Sequence, residues 1–260
     1  MNLMIDDMNI NYDFRGEENG GDTLVVLLHG WGSNIKLFDN LMNVIAQKYP
    51  VTALDMPGFG LSDEQSEPWD VGQYTDFVIK FVEKFDYKKV ILLGHSFGGR
   101  VIIKMLTQRE IPFEVPRIIM VDAAGIKPKK TFKQKFRQRV YKIGKWFYNL
   151  SFVKKLSPQG IDKWRKKFGS ADYNDASEIM KATLVKTVNE DLTEYISKIT
   201  ADALLIWGEN DTATPLSDGQ LMEKLIKNSG LVILKNAGHY SFLEQQYTFN
   251  AVIKSYLKIS

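Results

Sequence analysis

The sequence predicts a protein of the α/β class, in which helices cover both faces of a mostly parallel sheet. Three observations lead to this prediction. Short apolar runs alternate with amphipathic stretches over most of the 260 residues. Several of these runs end in glycine or aspartate, as buried parallel strands do where they leave a sheet. One strongly basic segment interrupts the alternation, which indicates an insertion between two parts of a core.

The elements follow from hydrophobic periodicity. The predicted core strands are the apolar runs at 24–28, 51–54, 90–93, 118–121, 204–207 and 231–234. The predicted helices have apolar residues three and four positions apart and cover 36–48, 73–86, 98–109, 217–227 and 241–257. A short hairpin is expected in the last two-thirds of residues 1–15. The alternation of strand and helix predicts parallel neighbours in the sheet.

The composition excludes several classes of protein. Hydrophobic residues make up 44% of the chain and charged residues 25%, which is typical of a globular protein with a substantial core. No apolar run reaches the roughly 18 residues of a membrane-spanning helix. The first seven residues have neither a basic start nor an apolar stretch, so a secretory signal is not expected. Cysteine is absent, which excludes disulfides, thiolate zinc sites and a cysteine nucleophile. A cytoplasmic protein is expected.

The basic segment has a charge unlike that of the rest of the chain. Residues 126–169 contain 15 lysines and arginines and one acid, Asp162, for a net charge of +14. The remaining residues together carry −11. Apolar residues of the segment recur on one helical face: Phe132, Phe136, Val140, Ile143, Phe147 and Leu150. We interpret residues 126–198 as a helical cap inserted between two parts of a core, 1–125 and 199–260.

The motif Gly94-His95-Ser96-Phe97-Gly98 follows a predicted strand and precedes a predicted helix. In that context the pattern G-x-S-x-G forms a strained turn that lifts the serine hydroxyl from the sheet edge. A Cβ at either glycine would crowd the turn. Ser96 is therefore the candidate nucleophile, and the alternative is a glycine-rich helix start used for close packing.

A serine hydroxyl needs a base to remove its proton, and the chain has three histidines. His95 is a poor base because adjacent side chains diverge in the turn, and His29 ends the first core strand. His239 lies in the loop after the last predicted strand, at the edge where Ser96 emerges. We predict that His239 is the base. The alternative is a surface histidine.

The base in turn needs an acid that holds its tautomer and stabilises the imidazolium. Asp211 lies four residues beyond the penultimate predicted strand and is the preferred candidate. Glu209, nearer the strand end, and Asp122, after the strand that follows the nucleophile, stay open as alternatives.

Two backbone N–H groups are expected to stabilise an oxyanion. One belongs to Phe97, directly after the nucleophile, and the other to Trp31, in the loop after strand 24–28. The indole of Trp31 would then form a wall of the pocket, although it could also be a core aromatic residue.

With these motifs the chain resembles the α/β-hydrolase superfamily over nearly its whole length. The resemblance rests on five motifs in order: His29-Gly30-Trp31-Gly32, 55–62 (Asp-Met-Pro-Gly-Phe-Gly-Leu-Ser), the serine motif, 205–211 with Thr214-Pro215, and Ala237-Gly238-His239. It implies an eight-stranded, mostly parallel sheet flanked by helices, with a helical cap inserted after the sixth strand. The order Ser96, Asp211, His239 is that of the superfamily.

The resemblance implies a serine hydrolase of the esterase or lipase-like branch that cleaves a carboxylic ester or thioester. A carbon–carbon bond hydrolase or another acyl-transfer hydrolase is the first alternative. A non-catalytic ligand-binding, receptor or lipid-surface protein on this fold is the second. No metal or organic cofactor is expected, because no cluster of histidines and acids remains once the three residues are assigned.

The expected substrate is a small ester with an apolar acyl part, in a pocket lined by Trp31, Phe97, Phe132, Phe136 and Trp146. The basic face of the cap is either merely solvated, or it docks on anionic lipid or attracts acidic substrates. No nucleic-acid partner is expected, because no recognised binding module surrounds the charge. The sequence does not indicate an oligomeric state.

Overall fold

The computed structural model describes residues 1–127 and 176–260. Eight strands in these residues form one sheet. They are β1 (Asn2–Ile5), β2 (Met8–Arg15), β3 (Thr23–Leu28), β4 (Val51–Leu54), β5 (Lys89–His95), β6 (Glu114–Val121), β7 (Asp202–Gly208) and β8 (Ser229–Leu234). Their order in the sheet is β1-β2-β4-β3-β5-β6-β7-β8. The first two pairings, β1 with β2 and β2 with β4, are antiparallel, and all the others are parallel.

The described α-helices are α1 (Asp39–Ile45), α2 (Val71–Val82), α3 (Phe97–Gln108), α4 (Glu178–Asn189), α5 (Thr193–Ile196), α6 (Leu216–Leu225), α7 (Ser241–Glu244) and α8 (Gln246–Leu257). Side chains of α2 and α3 pack in one core cluster, and side chains of α1 and α8 pack in another. Alternate residues of β3 enter the two clusters, with Val26 in the first and Val25 in the second. Strands buried on both faces read as continuous apolar runs, which is why the core strands could be predicted.

The N-terminal hairpin is longer than predicted. It spans Asn2 to Arg15 and turns at Asp6 and Asp7, whose φ angles of 49° and 62° lie in the left-handed region. A two-residue hairpin turn of this kind favours Asn-Gly or Asp-Gly, so Asp-Asp is a weaker sequence signal. The prediction therefore missed β1.

Helix boundaries differ by a few residues. The helix predicted at 36–48 is a 3-10 turn, Ile35–Phe38, followed by α1. The helix predicted at 241–257 is divided at Gln245 into α7 and α8. The start of α2 lies earlier than predicted, because Asp70 and Gln73 form a capping box there.

The parallel strands place the candidate residues at one edge of the sheet. β3, β5, β6, β7 and β8 run in the same direction, so the segments that follow them meet at their carboxyl ends. Between β6 and β7 lie α4 and α5, a helical region whose place fits a cap. The predicted cap residues Phe132, Phe136 and Trp146 lie outside the described residues. Within the described ranges, no helix is both long enough and apolar enough to cross a bilayer.

Candidate active site

Ser96 lies in the turn between β5 and α3, with φ 49° and ψ −108°. A β-carbon at Gly94 would lie 2.7 Å from the carbonyl carbon of Gly98, and one at Gly98 would lie 2.3 Å from the carbonyl oxygen of Leu28. Only glycine fits at both positions. The Ser96 N–H donates to the carbonyl of Val121 at 3.1 Å, which fixes the turn to the neighbouring strand. These contacts hold the backbone of Ser96 in a strained conformation, as is common at functional sites.

The imidazole of His239 bridges Ser96 and Asp211. His239 lies in the loop between β8 and α7, and its Nε2 is 3.0 Å from the Ser96 hydroxyl oxygen. Its Nδ1 is 2.8 Å from Oδ2 of Asp211. The structure therefore brings the three predicted residues together in one chain of hydrogen bonds.

Asp211 is held in the loop after β7 by its own neighbours. Its carboxylate accepts hydrogen bonds from the N–H groups of Ala213 and Thr214, at 2.8 and 3.0 Å, and from the Thr214 hydroxyl at 2.7 Å. Burial acts to raise the pKa of Asp211, but the hydrogen bonds from His239 and Thr214 outweigh it and lower the pKa below its ordinary value. An ionised Asp211 favours a proton on Nδ1 of His239, which leaves the Nε2 lone pair facing Ser96.

The two alternative acids contact other groups. Asp122, directly after β6, accepts hydrogen bonds from the N–H of Gly208 at 2.7 Å and from the N–H and hydroxyl of Ser241 at 3.1 and 2.6 Å. Burial first, and repulsion from Asp211, raise its pKa to about 7. The Glu209 carboxylate accepts from the N–H of Asn236 at 3.1 Å. Among the three acids, the structure places Asp211 against the histidine.

The loop after β3 packs against the serine turn. A β-carbon at Gly30 would lie 3.2 Å from Cβ of Ser96, so this loop and the turn are in close contact. Nδ1 of His29 donates to the Gly30 carbonyl at 2.7 Å, while Nε2 accepts from the N–H of Met56 at 2.9 Å. Because carbonyl and N–H point in opposite directions across a trans peptide, this bond directs the Trp31 N–H away from His29. Phe97 begins α3, so its N–H has no acceptor within the helix.

Comparison with known proteins adds to this geometry. A family model described as "alpha/beta hydrolase fold" matches residues 23–162, and one described as "TAP-like protein" matches residues 178–259. The chain belongs to the α/β-hydrolase family. The resemblance seen in the motifs is thereby confirmed, and the eight-stranded sheet confirms the fold that it implied.

Named relatives of this α/β hydrolase are enzymes. A pimeloyl-[acyl-carrier protein] methyl ester esterase of Neisseria meningitidis is 26% identical, over 90% of this chain and 93% of its own. A 2-hydroxy-6-oxononadienedioate/2-hydroxy-6-oxononatrienedioate hydrolase of Pseudomonas putida is 26% identical, over 96% of this chain and 92% of its own. The crystal structure of an enol-lactonase from Burkholderia xenovorans LB400 has a TM-score of 0.75 at 17% identity, covering 99% of this chain and 100% of that one. This α/β hydrolase is therefore an enzyme of the hydrolase class.

Aromatic rings of the hydrolase pack beside the site. The indole of Trp31 lies edge-on to the rings of Phe59 and Phe97, with centroids 4.9 and 5.6 Å away. Phe97 is only 3% exposed, and its ring also contacts Tyr74 at 5.1 Å. Trp31 is half-buried. Trp31 therefore offers more surface to a substrate than Phe97, whose ring belongs mainly to the core.

Three side chains make contacts near His239 that the sequence did not predict. His95 lies 2.8 Å from the His239 carbonyl oxygen through its Nε2. The Glu244 carboxylate accepts from the N–H groups of Gly238 and Tyr240, at 2.8 and 3.3 Å. The Thr214 hydroxyl lies 3.3 Å from Nδ1 of His239. His95 lies in the serine motif and Thr214 in the motif after β7, but no spacing rule pointed to any of these contacts. In the part of the chain that the structure describes, no group of three histidines and acids could hold a metal ion.

Proposed function

We propose that this hydrolase cleaves carboxylic esters by nucleophilic catalysis, with Ser96 as nucleophile, His239 as base and Asp211 as orienting acid. The observation that carries the proposal is the hydrogen-bonded chain from the Ser96 hydroxyl through His239 to Asp211, with links of 3.0 and 2.8 Å. A serine hydroxyl is activated when a base lies within hydrogen-bond reach of it and a third group orients that base.

The reaction runs in two halves. The Ser96 hydroxyl oxygen attacks the acyl carbon while its proton passes to Nε2 of His239, and ionised Asp211 stabilises the imidazolium. The N–H groups of Phe97 and Trp31 donate to the oxyanion. His239 then protonates the leaving alcohol, and an acyl-enzyme remains on Ser96. Water, activated by His239, attacks the acyl carbon and releases the acid.

The substrate class rests on chemistry and on relatives together. The name of the Neisseria relative, a methyl ester esterase, favours an ester, and the half-buried indole of Trp31 favours an apolar acyl part. A thioester reacts by the same steps. Hydrolysis of a carbon–carbon bond by the same three residues is the second candidate. It is favoured because the relative from Pseudomonas is named as the hydrolase of a hydroxy-oxo-dioate and not as an esterase.

The test is hydrolysis of p-nitrophenyl esters of graded acyl length. Loss of the nucleophile in Ser96→Ala should lower kcat by about 10⁴- to 10⁶-fold, as for other serine triads. Ser255→Ala, a change at an exposed helical serine, is the matched control and should keep the wild-type rate. A wild type no faster than Ser96→Ala at every acyl length would overturn the proposal and favour a non-catalytic binding protein.

The cap adds a further part to the proposal. We place it at residues 126–198 and propose that its basic stretch contacts anionic lipid at the inner surface of a cytoplasmic membrane. The supporting observation is the net charge of +14 over residues 126–169, interspersed with aromatic residues.

The lipid contact is tested by co-sedimentation with neutral and anionic vesicles at low and high salt. Salt-sensitive binding to anionic vesicles is expected, and charge reversal of Lys133, Lys135, Arg137 and Arg139 should abolish it. Absence of binding at low salt would leave the cap only a gate over the active site.

A further inference from the structure

His95 is a buried histidine with one hydrogen bond and one unused ring nitrogen. It is only 1% exposed, and its Nε2 lies 2.8 Å from the carbonyl oxygen of His239. A carbonyl oxygen only accepts, so Nε2 carries the proton and donates. Within the described residues, Nδ1 has no hydrogen-bond partner.

The ring of His95 lies where three segments of the site meet. It packs against the rings of His239, Tyr240 and Phe242, with centroids 5.0, 5.2 and 5.0 Å away. The backbone of Gly30 also lies close to this ring, because a β-carbon added there would come within 2.8 Å of Nδ1. A phenylalanine would fill this space without burying an unpaired nitrogen. The feature that histidine adds is therefore the donor at Nε2.

We propose that His95 is a positioning residue, which fixes the His239 loop relative to Ser96 by donating to the His239 carbonyl. The proposal rests on the proposed function, in which His239 is the base. The carbonyl and the imidazole of His239 extend from the same residue, so fixing the one restricts where the other can point. His95 is the last residue of β5 and directly precedes Ser96, so a single short segment carries both the nucleophile and the anchor of its base.

Other side chains hold the same loop from different elements. Glu244 in α7 accepts from the N–H groups of Gly238 and Tyr240, and Asp122 after β6 accepts from the N–H of Ser241. Of these three side chains, only His95 belongs to the segment that carries Ser96. Burial, and then repulsion from His239, lower the pKa of His95 to about 3, so it remains a neutral donor and does not compete with His239 as a base.

The experiment compares three substitutions that separate the donor from the ring. His95→Gln places an amide nitrogen at the reach of Nε2, His95→Asn stops short of it, and His95→Phe keeps the ring without a donor. Active sites are titrated with a fluorophosphonate, and kcat and KM are then measured per titrated site on p-nitrophenyl butyrate. Because small displacements of a base slow chemistry strongly, we expect kcat to fall about 10- to 100-fold in His95→Phe and His95→Asn, with KM within about two-fold. His95→Gln should stay within about three-fold of the wild type.

Each outcome decides the proposal. A kcat per titrated site near the wild-type value in His95→Phe would overturn it, as would a His95→Gln enzyme as slow as His95→Phe. Circular dichroism and thermal unfolding establish that the variants fold; if His95→Phe does not, the pair His95→Gln and His95→Asn gives the same decision. A wild type that hydrolyses no ester and titrates no site would overturn the proposed function and this proposal with it. Wild-type activity that is lost in Ser96→Ala, but unchanged in all three His95 variants, would overturn this proposal alone.

Discussion

Two carboxylates lie at neighbouring strand ends of this hydrolase, and their pKa values are shifted in opposite directions. Asp122 follows β6 and is fully buried, while Asp211 lies beyond the end of β7 and is 5% exposed. The pKa of Asp122 is raised to about 7, whereas that of Asp211 is lowered. The strand ends thus carry one carboxylate that takes up a proton near neutral pH beside one that ionises more readily than usual.

The hydrogen-bond partners explain the difference. Asp122 accepts hydrogen bonds from two backbone N–H groups and from the Ser241 hydroxyl. These neutral donors do not compensate for the rise in its pKa that burial causes. Asp211 contacts His239 and Thr214, whose hydrogen bonds outweigh its burial. Burial and partner chemistry together therefore decide how readily each carboxylate ionises.

The most severe test of the comparison is to exchange each acid for its amide. Asp211→Asn should lower kcat/KM by about 10³- to 10⁴-fold, because asparagine favours the wrong tautomer of His239. Asp122→Asn should lower it by less than about 10-fold, because Asp122 holds backbone rather than the base. Initial rates on p-nitrophenyl butyrate measure both. The opposite ranking would move the acid to the end of β6.

The two acids should also give stability opposite dependences on pH. Asp122 has a folded pKa of about 7 against an ordinary 3.8, so the folded state binds its proton more tightly and stability falls as pH rises from about 4 to about 7. Asp211 has a lowered folded pKa, so its contribution is present above its unfolded pKa and is lost as pH falls through the folded value.

Urea unfolding between pH 4 and pH 8 measures the dependence due to Asp122, because the contribution of Asp211 changes only below its ordinary pKa of 3.8. The wild type should lose on the order of a few kcal/mol over this range through Asp122, and Asp122→Asn should show a flatter profile. Ser255→Ala should follow the wild type. An Asp122→Asn profile as steep as that of the wild type would mean that another group titrates in this range.

A smaller effect is expected from Thr214, whose hydroxyl lies 2.7 Å from the Asp211 carboxylate and 2.9 Å from the main-chain carbonyl of Asp122. Thr214→Val removes a hydrogen bond that keeps Asp211 ionised, so kcat/KM should fall about 5- to 10-fold. Thr214→Ser retains the hydroxyl and should recover most of the loss. Equal rates for the valine and serine variants would show that the hydroxyl is not used.

The smallest effect is expected at Glu209, the remaining acid near the end of β7. Its carboxylate is exposed and bonds to the N–H of Asn236. Glu209→Gln should change kcat/KM by less than about two-fold, as surface substitutions usually do. A loss near that of Asp211→Asn would identify Glu209 as the orienting acid.

The sequence predicted the sheet and the three candidate residues because both depend on local signals. Strands buried on both faces form apolar runs, and the glycines around Ser96 report a turn that no Cβ would fit. β1 was not predicted because the turn that follows it is Asp6-Asp7, a weaker hairpin signal than Asn-Gly or Asp-Gly. The contact of His95 depends on where the carbonyl of His239 points, 144 residues away along the chain. The environment of Asp122 depends on the pairing of β6 with β7 and on the position of Ser241, neither of which has a local signal.

The proposed mechanism claims that Asp211, rather than Asp122, supports the base that activates Ser96. The most direct measurement is the rate at which a fluorophosphonate modifies Ser96, followed by intact mass spectrometry and peptide mapping. We expect one adduct on Ser96 in the wild type, none in Ser96→Ala, a rate reduced at least about 100-fold in Asp211→Asn, and a nearly unchanged rate in Asp122→Asn. Modification of Ser96 at the wild-type rate in Asp211→Asn, or an adduct on a different residue, would contradict the claim.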